Sequence, residues 1–269
     1  MNIEAVGIPF VKASACGNDF LLIDSADTSG ILNPVDLAAF SRKICDRHDG
    51  VGADGVEWLY SHAEADAEIR LINADGSEAE ISGNGTRCVA AFLCAERGRE
   101  KIRIQTGAGL KTCVLTGRTE SAYEFEIEMG EAVVEVDLAL DLDGIEVRGI
   151  PVSIGNPHCV VVVPQFSENW REEAAKIQQN SSFKQGVNVE FVAVDGKHDL
   201  RALFFERGVG ETQSSGTGSC ASAVAAIARG RAASPVRVHA PGGTQTVRQE
   251  GNTVFLRGTA KLICRGSLF

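Results

Sequence analysis

Four glycine-centred turns occur twice in this chain, in the same order and about 135 positions apart. Gly17-Asn18-Asp19 is echoed by Gly155-Asn156-Pro157, and Gly50-Val51-Gly52-Ala53-Asp54 by Gly186-Val187-Asn188-Val189-Glu190. Ser82-Gly83-Asn84-Gly85 is echoed by Ser215-Gly216-Thr217-Gly218, and Thr106-Gly107-Ala108-Gly109 by Ala240-Pro241-Gly242-Gly243. A single glycine match carries no information. Four matches in order mean that the chain holds two copies of one plan, so whatever the first half folds into, the second must repeat.

The plan itself can be read in part. Phe10 to Asp24 reads as strand, turn, strand, with the turn at Gly17-Asn18-Asp19. In Pro34 to Asp46 the apolar residues Leu37, Phe40 and Ile44 fall at helical spacing, and Asn33 before Pro34 suits an N-cap followed by proline at N1. Asn169 to Gln179 fills the corresponding slot of the second half. His48 to Tyr60 is a glycine-rich turn running into a strand, and Ala67 to Ile72 alternates as a strand. Lys101 to Thr106, Leu110 to Thr116 and Glu124 to Glu128 alternate likewise, whereas Val133 to Gly149 is polar and acidic with no clear period. Each SGxG turn feeds an Ala-rich segment, Val89 to Cys94 and Ala221 to Ala228. A helix apolar on most sides must be surrounded. Strands wrapped around one central helix in each half satisfy that need, so the expected class is α+β.

Composition bounds the function. A net charge of −10 without a basic run excludes a nucleic-acid coat. No apolar run reaches membrane-spanning length, and Met1 to Phe10 does not read as a signal peptide. The eight cysteines form no CxxC pair and no zinc spacing, which fits reduced, mostly buried thiols in a cytoplasmic protein and no metal.

The twin turns suggest chemistry. A helix N-terminus offers unpaired N–H groups and roughly half an elementary charge, and so holds a carboxylate. The backbones of Gly83, Asn84, Gly216 and Thr217 would do so here. If that carboxylate belongs to an amino acid, Ser82 and Ser215 would flank its Cα, the arrangement a two-base isomerase needs. Polar residues recur at the other repeat turns: Asn18, Asn156, His158, Asn188 and Arg207. Asn73 precedes Ser82 by the same interval as Glu206 precedes Ser215. Glu206 suits an ammonium and Arg207 a carboxylate, as a bidentate clamp. Each residue also has a plainer use. A serine at a helix start caps it, an asparagine in a GN turn serves the turn, a lone histidine is structural, and an arginine is a surface charge. What favours chemistry is that both halves keep polar residues in equivalent slots.

These stretches resemble the diaminopimelate epimerase family over essentially the whole chain: FVKASACGNDFLLID from Phe10, DRHDGVGADG from Asp46, NADGSEAEISGNGTRCVA from Asn73, GNPH from Gly155, GVNVEF from Gly186 and ERGVGETQSSGTGSCA from Glu206. The resemblance implies a pyridoxal-independent epimerase of LL/meso-diaminopimelate in lysine and peptidoglycan synthesis, with no cofactor. It implies two pseudo-symmetric domains, 1–117 and 118–258, each a barrel-like wrap of strands around a helix, with 259–269 returning to the first and the active site between them. A homodimer is compatible with it. Asn73, Asn188 and Arg207 would hold the distal amino-acid end, and Asn18, Asn156 and Glu206 would line the reacting end. His158 and Glu206 would assist the catalytic pair.

The chain departs from the family at the centre. The family's acid/base residues are cysteines in CGNG and CGTG, whereas Ser82 and Ser215 stand here. A thiol titrates near ~8.5, and a serine hydroxyl needs an adjacent base. Cys88 and Cys220 lie too far along their helices to substitute and are expected in the core. Three readings follow: an epimerase with its thiols replaced, a paralogue acting as dehydratase or isomerase on a hydroxylated amino acid with Glu206 or His158 as base, or a non-catalytic amino-acid-binding protein.

Overall fold

A computed structural model describes residues 7–28 and 37–268. The contacts divide the chain into two units: 1–127 with 259–269, and 128–258. Residue 117, where the first boundary was expected, lies inside the strand Gly109–Arg118, which pairs with the strand Ala122–Glu131 through Gly117↔Glu124.

The first unit contains β1 (Ile8–Ala15), β2 (Asn18–Asp24), α1 (Leu37–Cys45), β3 (Gly55–Tyr60), β4 (Ala67–Asn73), β5 (Glu78–Ala79), α2 (Gly83–Arg97), β6 (Lys101–Thr106), β7 (Gly109–Arg118) and β8 (Ala122–Glu131). The proposed cap at Asn33 and Pro34 lies outside the described residues. The second unit contains β9 (Val133–Val134), β10 (Leu138–Leu142), β11 (Ile145–Ser153), β12 (Pro157–Val162), α3 (Trp170–Gln178), β13 (Asn188–Gly196), β14 (Asp199–Glu206), β15 (Gly210–Thr212), α4 (Gly216–Ala228), β16 (Val236–Ala240), β17 (Gly243–Glu250) and the start of β18 (Thr253–Leu268). The end of β18 belongs to the first unit. The acidic stretch from Val133 to Gly149, unassigned from its pattern, is strand β9 and the hairpin of β10 and β11, paired from Leu138↔Gly149 to Leu142↔Ile145.

In the first unit the strands close a ring in the order β1, β2, β3, β4, β6, β7, β8, β18 and back to β1. The pairs β2/β3 and β4/β6 are parallel. Helix α2 packs on β1, β2 and β6, and buries Cys88, Val89, Ala90, Ala91, Leu93 and Cys94. In the second unit the order is β9, β11, β12, β13, β14, β16, β17, β18, with β12/β13 and β14/β16 parallel. Helix α4 buries every residue from Gly218 to Ala226 against these strands. Small side chains let the strands approach a helix on all sides, so an Ala-rich segment suits a central position. The expected α+β class, with a central helix wrapped by strands in each half, is what the chain forms.

The repeat extends to strand register and moves one match by three residues. Phe20 pairs with Gly55 and Leu22 with Glu57 across β2/β3, while His158 pairs with Asn188 and Val160 with Glu190 across β12/β13, so Asn188 and Glu190 answer to Gly55 and Glu57 and not, as the glycine turns suggested, to Gly52 and Asp54. The hairpins Thr106↔Gly109 and Ala240↔Gly243 match as well. At the first repeat turn Gly17 and Gly155 take the left-handed conformation, φ 86° and 81°, that favours glycine there. On the outside of the first unit, α1 covers Trp58, whose indole Nε1 donates to Ser41 Oγ at 3.1 Å.

Candidate active site

Both SGxG turns are helix N-termini. Ser82 and Ser215 are N-caps with extended backbones, φ −120°, ψ 120° and φ −137°, ψ 130°. Ser82 Oγ accepts from Gly85 N–H at 3.1 Å, and Ser215 Oγ accepts from Gly218 N–H at 3.2 Å. The hydroxyls therefore cap, as the plainer reading of each expected. Each still retains one donor hydrogen.

In the second unit the Ser215 hydroxyl is near enough to the carboxylate of Glu206, the last residue of β14, to favour its anion. Thr212 Oγ1 donates to Glu206 Oε1 at 2.9 Å. Burial pushes the Glu206 carboxyl up, against these two hydrogen bonds and the charge of His158, which pull it down. His158 is buried, with Nδ1 2.7 Å from Glu190 Oε1 and Nε2 2.9 Å from Asn156 Oδ1. The Asn156 amide is oriented by its Nδ2, which donates to Thr217 Oγ1 at 3.4 Å. Burial also raises Glu190, opposed by the charge and hydrogen bond of His158. One connected polar network thus reaches from β12 and β13 to the first turn of α4, and Glu206 lies within electrostatic reach of it.

Asn188 and Arg207 form a second group. Asn188 Nδ2 donates to Pro157 O at 3.0 Å, and Asn188 Oδ1 accepts from Arg207 N–H at 2.9 Å. The Arg207 guanidinium is exposed and donates to Gln185 O at 2.9 Å, which leaves other N–H groups of its fork to face solvent.

In the first unit Asn84 Nδ2 donates to Asn18 Oδ1 at 2.6 Å, and Asn18 Nδ2 donates to Asp54 Oδ2 at 3.1 Å. The buried guanidinium of Arg87 donates to Asn84 Oδ1 and, at 3.8 Å, to Cys16 Sγ. Asn73 ends β4, opposite Gly55 on β3, and donates from Nδ2 to Ser77 Oγ at 3.0 Å. Cys88 and Cys220 are fully buried, and burial drives the Cys88 thiol far above its usual range.

Four participants were not singled out in the sequence. Thr212, Glu190 and Arg87 complete hydrogen-bond networks. Glu57 on β3 is fully buried with no hydrogen-bond partner among the described residues for either carboxylate oxygen, and a Cβ at Gly85 would collide with its Oε1. The one available signal was alternation, which cannot distinguish a buried glutamate from an edge residue. Among the described residues no group of His, Cys, Asp and Glu is arranged to hold a metal ion, and no helix is long and apolar enough to cross a membrane.

The geometry is that of an α+β scaffold built twice, with a capped helix N-terminus and convergent amides in each copy. Solved structures share this fold. A Bacillus anthracis phenazine biosynthesis protein of the PhzF family superposes with a TM-score of 0.72 at 16% identity, over 97% of this chain and 99% of that one. A probable proline racemase from Agrobacterium radiobacter gives 0.72 at 17% identity, over 97% and 93%. The sequence model of the diaminopimelate epimerase family matches residues 10–135 and 150–263. The diaminopimelate epimerase of Desulfitobacterium hafniense is 34% identical over 275 residues, spanning 96% of this chain and 97% of that protein. That of Rhizorhabdus wittichii is 37% identical, over 94% and 92%. The chain belongs to the diaminopimelate epimerase family and has an amino-acid epimerase scaffold.

Proposed function

We propose that the chain moves the Cα proton of an amino acid with a distal carboxylate, LL/meso-diaminopimelate, by two-base chemistry slowed by serine at both acid/base positions. The observation that carries this reading is the contact between Ser215 and Glu206 at the N-terminus of α4. A serine hydroxyl needs an adjacent base to act, and Glu206 is one. In this reading Ser215 Oγ takes the Cα proton as its own proton passes to Glu206. Ser82 Oγ–H delivers a proton to the opposite face and takes one back from solvent water in the same step, so no alkoxide is left on it. The N-termini of α2 and α4 stabilise the substrate carboxylate and the enolate-like charge that develops on it. Arg207 holds the distal carboxylate.

One observation favours a second reading. Glu206 ends β14, and Asn73 ends β4 in the equivalent place. An ionisable partner stands beside one serine slot and an amide occupies the equivalent place near the other. One-sided chemistry suits that asymmetry: exchange with retention, or loss of water from a hydroxylated amino acid.

Deuterium incorporation at Cα of diaminopimelate in D₂O tests both. The chain is expected to exchange slowly, and Ser82→Cys plus Ser215→Cys to exchange faster, because a thiol at a helix N-terminus ionises far more easily. A double variant that binds the substrate and exchanges nothing would overturn the epimerase reading. Water loss from a hydroxylated amino acid by the unaltered chain would establish the second.

A further inference from the structure

The same register slot in the two units holds a buried glutamate, Glu57 on β3 and Glu190 on β13. Each lies against the third residue of a helix, Gly85 of α2 and Gly218 of α4. A Cβ at Gly218 would come within 2.9 Å of Glu190 Oε1, and one at Gly85 would strike Glu57 Oε1. The partners of the two acids differ. Glu190 meets the imidazole of His158. The residue equivalent to His158 is Phe20, which offers nothing to a carboxylate. Glu57 is consequently left, among the described residues, with no hydrogen-bond partner for either oxygen.

An unpartnered carboxyl pressed on the first turn of a helix has two competing influences on its charge. The helix N-terminus favours the anion modestly. Removing a carboxylate from water without a partner costs considerably more. Burial wins, and it raises Glu57 to about 8. The ionisable groups gathered with it around Cys88 are Arg87 on α2, Cys16 in the β1–β2 turn and Asp19 on β2. The cross-strand neighbours of Glu57 on β2 and β4 are Leu22 and Leu71.

We propose that Glu57 is a positioning residue of the first unit whose own charge sets how strongly the N-terminus of α2 holds the carboxylate of a bound amino acid. The inference rests on the carboxylate role given to that helix end above and adds a control on it. Neutral Glu57 leaves the positive end of α2 to the ligand. Ionised Glu57 places a buried negative charge one helical turn behind it, and the ligand is repelled through a medium that screens poorly. The second unit differs, because the carboxyl of Glu190 has a hydrogen-bond partner in the imidazole of His158. By reciprocity, a carboxylate arriving at the N-terminus of α2 raises Glu57 further and draws a proton onto it.

The test is calorimetry with meso-diaminopimelate on the intact chain and on Glu57→Gln, at about pH 6.5 and about pH 9. The amino groups of the ligand titrate alike with both proteins, so the difference between the proteins reports Glu57. The unaltered chain is expected to lose at least about tenfold more affinity over that interval than Glu57→Gln. Near pH ~8, in two buffers of different ionisation enthalpy, it is expected to take up a proton that Glu57→Gln does not. Parallel affinity losses and equal proton uptake would overturn the proposal. If Glu57→Gln fails to fold, Glu57→Met serves in its place. Absence of binding to either protein at either pH would instead sink the diaminopimelate reading. An infrared titration without ligand would then decide for Glu57. A protonated-carboxyl band that fades around pH ~8 in the chain and is missing from the variant sustains the charge switch, and no such band removes it.

Discussion

Thr212 Oγ1 donates to Glu206 Oε1 at 2.9 Å, from the short strand β15 to the end of β14. With Ser215 it holds down a carboxyl that burial pushes up. Thr212→Val removes one of these restraints, so the Glu206 carboxyl rises further. A base must be ionised to act, and the ascending limb of the exchange rate against pH therefore moves to higher pH. Glu206→Gln removes the base and is expected to cost about 10²–10⁴ in rate. Deuterium exchange measured across pH checks both. An unmoved limb in Thr212→Val would mean that Glu206 is not the group being titrated.

His158 and Glu190 are both buried and 2.7 Å apart. Removing one member strands the other in the interior. His158→Leu is expected to lower unfolding free energy by about 3–5 kcal/mol. The double change with Glu190→Leu should recover part of that loss, because no buried charge remains. Denaturant titration of the two singles and the double closes the cycle. Additive losses would contradict the pairing.

Glu57 makes stability depend on pH. Its carboxyl is raised from the ordinary 4.5 to about 8, so between those values the folded chain holds a proton that the unfolded chain releases. Its contribution is complete below pH 4.5 and is lost as pH rises through about 8. The loss is on the order of several kcal/mol. Glu57→Gln should flatten the fall in unfolding free energy over that window. A fall as steep in the variant would assign it to Glu190 or Glu206, which burial also raises.

Arg207 reaches solvent with one hydrogen bond to Gln185 O and its backbone fixed by Asn188. Arg207→Ala should weaken a diaminopimelate-like ligand by about 1.5–3 kcal/mol and leave an amino acid without a distal carboxylate nearly unaffected. Equal losses in a binding titration would remove Arg207 from the distal site.

Features set by local chemistry were readable before any coordinates. The serines of SGxG cap helices because a hydroxyl before a glycine-rich first turn can reach the N–H of Gly85 or Gly218. The Ala-rich segments are central helices because nothing in them needs water. The turns at Gly17 and Gly155, and the repeat that links them, follow from backbone preference. The state of the acids was not readable. GVEWLY reads as a strand whichever way Glu57 points, and only the folded arrangement buries that carboxyl beside Gly85 of α2. Likewise His158 meets Glu190 because β12 and β13 run parallel in one register, and Ser215 meets Glu206 because β14 ends beside α4. The sequence by itself determined the family, the duplication and the helix ends, since these depend on residues near in the chain. Tertiary structure alone decided which carboxyls are stripped of water and which are paired, because desolvation is set by neighbours that the chain brings together from afar.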